Sequence, residues 1–244
     1  MKILVAPLNW GLGHASRCIP LIRDYLAKGD EVVLGGDGDS LTLLAQHFPQ
    51  LRTIGLASLQ LRYSASQSQV LAMLKALPQL FRFAWIDHHI LNDLLQRETF
   101  DLVVSDNRFG LFSRLTRCVY ITHQLHICLP DGWHWLEPLC SAVHRAISNR
   151  YDEILVPDLA QDGLSGILGH PKHAPRHARY IGLLSRFSTE QPASSATETY
   201  DIVAVLSGLE PQRTLFEKEL ITRFMHQKER VLIIRGLVAE PNTK

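Results

Sequence analysis

Excess charge is absent from this sequence: 25 Lys and Arg face 24 Asp and Glu, for a net charge of +1. Nothing in that balance asks for nucleic acid as a partner. Cysteine is scarce and unpatterned. Cys18, Cys118, Cys128 and Cys140 show no Cys-x-x-Cys spacing, which argues against a zinc site or a disulfide framework and reads as reduced thiols in a cytoplasmic protein. No apolar stretch approaches the length that spans a bilayer. The first apolar run is short, lacks a small-residue cleavage site and enters a glycine turn directly, so it is not read as a signal peptide. Histidine is present in number, but His123, His126, His134 and His144, like His170, His173 and His177, match no metal-ligand spacing and no carboxylate pattern. No metal is expected. What remains is a chain of 244 residues, 46% hydrophobic and 20% charged, ordinary for a globular protein and long enough for one large domain or one and a half smaller ones.

The chain is organised around residues 3–22. Ile3 to Pro7 is a short apolar run, Gly11-Leu12-Gly13-His14 is a glycine turn, and an apolar helical pattern follows. Gly11 and Gly13 can take positive φ and let a ligand approach the backbone. The helix start offers free N–H groups and a positive dipole end suited to phosphate. His14 brings a titratable imidazole into the same turn. A plain tight strand-to-helix turn is the structural alternative.

The sequence predicts strand Lys2 to Pro7, helix Ala15 to Lys28, strand Glu31 to Leu34, helix Leu41 to Phe48 and strand Arg52 to Leu56. This rhythm of uninterrupted apolar strands and helices predicts an α/β fold, a Rossmann-like parallel sheet with helices on both faces. Residues 64–69 read as a polar loop. Val70 to Gln96 reads as a helix broken or kinked at Pro78. Its apolar residues are too many for one narrow stripe. It is either buried against the sheet or partly exposed and resting on a membrane, with Lys75 and Arg82 meeting anionic headgroups. Phe100 to Ser105 is a buried strand ending at Asp106-Asn107-Arg108. Cys118 to Thr122 is the next, ending at His123-Gln124, and Glu153 to Val156 follows. Ligands gather outside the carboxyl ends of such strands, which singles out Asp106 and Arg108; the alternative is an N-capping Asp and a solvated Arg.

Residues 163–179 read as a surface loop and Tyr180 to Gly182 as a short last strand. Ser185 to Thr199 has linker composition. Tyr200 to Leu206, the turn Ser207-Gly208, a helix from Pro211 to about Gln227 and the strand Arg230 to Ile234 then repeat the architecture of the first unit. The division expected is 1–184, a linker 185–199, and 200–244 as the start of a second Rossmann-like domain. So small a unit does not bury a core of its own, and the chain reads as the front part of a longer protein.

Gly11-Leu12-Gly13-His14 resembles the glycine-rich, histidine-ending turn of the cell-wall N-acetylglucosaminyltransferases that make lipid II and of their relatives, with fewer glycines than the family turn. His123-Gln124 resembles the family's His-Glu-Gln stretch, one residue shorter. Asp106 to Gly110, Tyr180-Ile181-Gly182 with Ser185-Arg186-Phe187, and Ser207 to Arg213 look like a branch of predicted glycosyltransferases in the same GT-B superfamily. The resemblance implies glycosyl transfer from a nucleotide-sugar, UDP-linked by first expectation, to an acceptor hydroxyl on a lipid or cell-envelope glycan. It implies an N-terminal acceptor domain, a C-terminal domain for the nucleotide-sugar, and no cofactor or metal besides the donor substrate. It also implies a cytoplasmic enzyme with peripheral contact at the inner membrane surface. In those terms His14 is the first candidate base and Asp106 its competitor in the interdomain cleft. Asn9, Gly11 and Gly13 would meet a phosphate, and Arg108 would offset a diphosphate. His123 and Gln124 would bind substrate, and Ser207 and Gly208 would face the donor. Because the later part of the donor domain is missing from residues 1–244, this chain alone is expected not to turn over.

Three other functions fit parts of the pattern. Gly11-x-Gly13 with Asp37 after the second strand mimics a dinucleotide fingerprint and suggests an NAD-dependent oxidoreductase, although Ser16 stands at its third glycine position. A nucleotide-sugar epimerase shares the fold. A non-catalytic domain binding lipid or glycan phosphates is the third.

Overall fold

Seven strands, most of them apolar runs, pair into one parallel sheet. They are Lys2–Pro7 (β1), Glu31–Gly36 (β2), Thr53–Gly55 (β3), Leu102–Asp106 (β4), Arg117–Ile121 (β5), Glu153–Val156 (β6) and Ala178–Tyr180 (β7). In this computed structural model, which describes residues 1–59, 69–172, 174–175, 177–187, 199–208 and 210–238 (backbone only at 69–75), the strand order is β3-β2-β1-β4-β5-β6-β7. Each neighbouring pair is parallel. The order reverses between β1 and β4, and at such a switch point the loops leave in opposite directions and open a crevice.

Side chains alternate across the sheet. Ile3 and Val5 face Ala15, Cys18, Ile19 and Ile22 of helix Leu12–Ala27 (α1) and Leu44 of helix Gly38–His47 (α2). Leu4 and Ala6 pack in the opposite core with Leu91 of helix Gln69–Arg97 (α3), Val103 and Tyr120. Both faces are covered, as near-continuous apolar strands require. A fourth helix, Glu137–Ser148 (α4), follows β5.

Several expectations shift. α1 begins at Leu12, three residues before the predicted start, so Gly13 and His14 lie in its first turn. Gly11 has φ +77°, whereas Gly13 is helical and is not a positive-φ position. The α3 helix passes through Pro78 without a break. Its Phe83, Asp87 and Leu91 are buried at i, i+4 and i+8, a single stripe facing the core. Phe81 and Trp85 on the other side are 57% and 61% exposed, so burial against the sheet describes one face only. The polar loop at 64–69 lies outside the described residues except for Gln69, which begins α3. The side chain of Lys75 and most of the 185–199 stretch also lie outside the described residues. No helix among the described residues is long and apolar enough to cross a membrane.

Residues 200–238 form a separate two-stranded parallel sheet from Ile202–Val205 (β8) and Val231–Ile234 (β9), with helix Gln212–Phe224 (α5) between them. Val203, Val205 and Phe216 remain more than half exposed, and a parallel pair of strands ordinarily has both faces covered.

Candidate functional site

The switch point gathers three loops. His14 follows β1, Asp106 ends β4 and His123 follows β5. They meet around a residue that the motif reading passed over, Arg17, one turn beyond His14 on the same face of α1.

Asp106 is fully buried. Arg17 donates from Nε to its Oδ2 at 2.5 Å and from Nη2 to its Oδ1, a two-pronged pairing that matches guanidinium to carboxylate. Cys18 Sγ lies 3.6 Å from Oδ2. His14 Nδ1 lies 2.8 Å from Oδ1 and 2.9 Å from Arg17 Nη2, and His123 Nδ1 is 3.1 Å from Arg17 Nη1. Burial pushes the Asp106 carboxyl up, but the hydrogen bonds and charge of Arg17, with help from His14, outweigh burial and hold it below the ordinary range. Burial, then the Arg17 charge, lowers His123.

This geometry corrects one expectation. A buried carboxylate with both oxygens engaged is not positioned to take a proton from a substrate hydroxyl, so Asp106 is not the competing base. It is the group that His14 leans on. The lowered Asp106 pKa also fixes a pH dependence. Its stabilising contribution is complete above the ordinary value of 3.8 and is lost as pH falls below that value through the folded one. In acid titrations of unfolding free energy, the wild type should fall more steeply below pH 3.8 than Asp106→Asn. Parallel curves would show that Asp106 carries no such linkage.

Arg108 is the second correction. It is fully buried. It donates to Asp87 from Nε and Nη2, both at 2.9 Å, to Asp37 from Nη1 at 2.8 Å, and to the Ala57 carbonyl at 2.5 Å. Its guanidinium lies 4.9 Å from the centre of the Phe83 ring. Four of its donor interactions are spent inside the protein, so it does not reach a diphosphate. It ties α3 to the loops after β2 and β4.

Asn9 is part of the same scaffold. Its Oδ1 accepts from Ser40 N at 3.3 Å, and its Nδ2 donates to Asp37 Oδ2 at 3.3 Å. It therefore links the β1 loop to the start of α2. A Cβ on Gly38, at φ +52°, would sit 2.2 Å from Asn9 Nδ2, so glycine is what allows this close approach. Among the described residues nothing lies within 4 Å of a Cβ placed on Gly11 or Gly13. α1 has no side-chain cap, which leaves its first N–H groups available to an anion. Gln124 donates its backbone N–H to Thr122 Oγ1 at 3.0 Å. Ser207 and Gly208 are exposed at the end of β8, with Gly208 at φ +106°. Among the described residues no group of His, Cys, Asp or Glu is arranged to hold a metal.

After β6, Asp158 accepts from the backbone N–H groups of Leu159, Leu164 and Ser165 at 2.8–2.9 Å, and lies 3.1 Å from His170 Nε2. This hub shapes the fourth loop at the same sheet edge. Between α3 and α4 lies a cavity of about 810 Å³, lined among others by Phe81, Trp85, Phe109, Leu139 and His144. His88 also lines it, and its buried Nδ1 has no hydrogen-bond partner among the described residues.

No family model matches the sequence. Two curated proteins of Methanosarcina acetivorans, each named an uncharacterized glycosyltransferase, are similar to it. One is 24% identical over 99% of this chain and the other 27% identical over 65%. The chain spans 66% and 42% of their respective lengths. Among solved structures, the spinosyn rhamnosyltransferase SpnG aligns over 99% of this chain and 69% of its own, at 16% identity and TM-score 0.54. Arabidopsis thaliana UGT89C1, solved with UDP-L-rhamnose, aligns over 98% of this chain and 69% of its own, at 14% identity and TM-score 0.57. With its switch point, glycine turn and seven parallel strands, the chain has the fold of the GT-B glycosyltransferases, the activity for which its curated relatives are named.

Proposed function

We propose that this chain is the acceptor side, with the first unit of the donor side, of an enzyme that transfers a sugar from a nucleotide-sugar to an acceptor hydroxyl. The observation that carries this is the His14–Asp106 contact of 2.8 Å at the crevice between β1 and β4. Two acceptor atoms at that distance would repel, and the Arg17 Nη2 beside Nδ1 donates to Asp106 Oδ1, so Nδ1 carries the hydrogen and Nε2 keeps its lone pair. Nε2 takes the proton of the acceptor hydroxyl as its oxygen bonds to the anomeric carbon. The bond from that carbon to the nucleoside diphosphate breaks, and the diphosphate leaves with the electron pair. The imidazolium that forms rests on Asp106, whose charge Arg17 keeps in place.

The glycine turn at Gly11 and the open start of α1 suit a phosphate, and Ser207 and Gly208 are assigned to the donor diphosphate. Residues 1–184 are assigned to the acceptor, 185–199 to a linker and 200–244 to the opening of the donor domain. The relatives support a nucleoside diphosphate donor: SpnG has been solved with thymidine diphosphate and UGT89C1 with UDP-L-rhamnose. UGT89C1 has also been solved with quercetin, an aromatic molecule. Here the apolar lining of the α3–α4 cavity and the exposed Phe81 and Trp85 favour an acceptor with an apolar body, such as a lipid-linked glycan at a membrane surface.

The dinucleotide alternative loses its anchor. Asp37, which would hold the ribose, is bound to Arg108 and Asn9. The test of the proposed reaction is product formation: full-length protein incubated with UDP-, GDP- and dTDP-sugars and lipid or aromatic alcohols, followed by mass spectrometry. One glycosylated product is expected. Reduction of NAD added to the same mixtures at the expense of the alcohol, with no glycoside formed, would replace the transferase by an oxidoreductase.

A further inference from the structure

The guanidinium of Arg17 touches two imidazoles and a single carboxylate, and it can only donate hydrogen bonds. Its Nη1 lies 3.1 Å from His123 Nδ1. A ring nitrogen that receives a hydrogen bond from a permanent cation is the one without a hydrogen. In a neutral imidazole the hydrogen is then on Nε2. The contact with His14 differs: Arg17 Nη2, 2.9 Å from His14 Nδ1, gives a hydrogen to Asp106 Oδ1, and His14 Nδ1 lies 2.8 Å from that same oxygen, to which it donates its own hydrogen.

We propose that Arg17 is a positioning residue that holds His123 as the neutral tautomer with hydrogen on Nε2, making His123 a hydrogen-bond donor to an oxygen of the bound substrate and leaving proton acceptance to His14. One guanidinium–carboxylate pair thereby sorts two histidines into different tasks. The substrate side of this inference rests on the proposed transfer reaction, while the tautomer itself does not.

The surroundings of His123 agree. The charged and titratable groups that act on it are Arg17 and His14 from α1, Asp106 from β4 and Asp158 from the loop after β6. Burial and the first two disfavour the imidazolium, whereas the carboxylates oppose them without prevailing. Asp106 is already paired to Arg17, and Asp158 is saturated by its own loop. Among the described residues a cationic His123 would therefore have no carboxylate of its own. A neutral His123 has its Nδ1 satisfied and its Nε2–H to offer.

The experiment is nitrogen-15 spectroscopy of the histidine side chains in the full-length protein, with His123 assigned by the loss of its signals in His123→Gln. In the wild type, His123 is expected to show hydrogen on Nε2 only, from about pH 6 to about pH 8. Arg17→Gln is expected to give a mixture of tautomers that titrates in the same range. If Arg17→Gln does not fold, Arg17→Lys, which keeps the charge but loses the planar fork, is expected to give the mixture. Hydrogen on Nδ1 of His123 in the wild type, or a spectrum unmoved in the folded Arg17 variant, would overturn the proposal.

The donor role has its own readout. His123→Gln keeps an N–H donor and is expected to hold substrate affinity within a few-fold, whereas His123→Phe should weaken it about tenfold. Equal affinity in the two variants would overturn that role. If the Nε2–H tautomer is seen and no sugar transfer is found under any condition, the transferase reading fails and the tautomer assignment stands.

Discussion

Replacing His14 by alanine is expected to lower the rate of the proposed glycosyl transfer by about 10²–10⁴-fold, the range that a positioned general base supplies. The loss falls on kcat, and KM for the nucleotide-sugar stays near its original value, because the proton is taken as the new bond forms and not when the donor binds. Stability changes little. Arg17 keeps both oxygens of Asp106 engaged after the imidazole is gone, so no buried charge is stranded. The measurement is steady-state release of nucleoside diphosphate, with thermal unfolding of the same sample as the control. A His14→Ala enzyme within threefold of the wild type would remove the base from the reaction.

Arg108→Ala gives the opposite pattern. The side chain is fully buried and pairs with Asp87 and Asp37 across three segments of the chain. Removing it strands Asp87, a carboxylate whose pKa burial already pushes up against the pull of Arg108. Breaking a buried ion pair from one side costs about 3–5 kcal/mol, a large share of the about 5–15 kcal/mol that holds a domain folded. Chemical denaturation should show that loss directly. A diphosphate-binding arginine would behave otherwise: KM for the donor would rise with the unfolding midpoint unchanged, and that result would return Arg108 to the substrate site.

These two residues show what could be read from the sequence. Most strands were legible because they are short uninterrupted apolar runs between turns, the pattern that parallel strands buried on both faces need; Ala178–Tyr180 was not, because its three residues include an exposed arginine and form no apolar run, and the last strand was expected two residues later, from Tyr180. The position of His14 was legible because a glycine turn after the first strand places it at a carboxyl edge. Whether Asp106 and Arg108 face solvent or the interior was not legible, since both lie at the end of the same strand and burial depends on partners far along the chain. Asp106 meets Arg17 and His14, 89 and 92 residues away. A signal for the Arg108 cluster did exist. Asp87 lies at i+4 from Phe83 and i−4 from Leu91, a carboxylate on the apolar stripe of a helix, and such a residue is rarely buried without a cation. Arg17 had a weaker signal, its spacing of three from His14, which puts both on one helical face.

The measurement that bears most directly on the proposed activity is calorimetric titration of the full-length protein with UDP-, GDP- and dTDP-sugars, beside the same titrations of the 244-residue chain. Binding of one nucleotide class by the full-length protein, with little or none by residues 1–244, is the expected result and names the donor. Binding of no nucleotide-sugar by either would contradict the transferase and point to a domain that recognises lipid or glycan phosphates without chemistry.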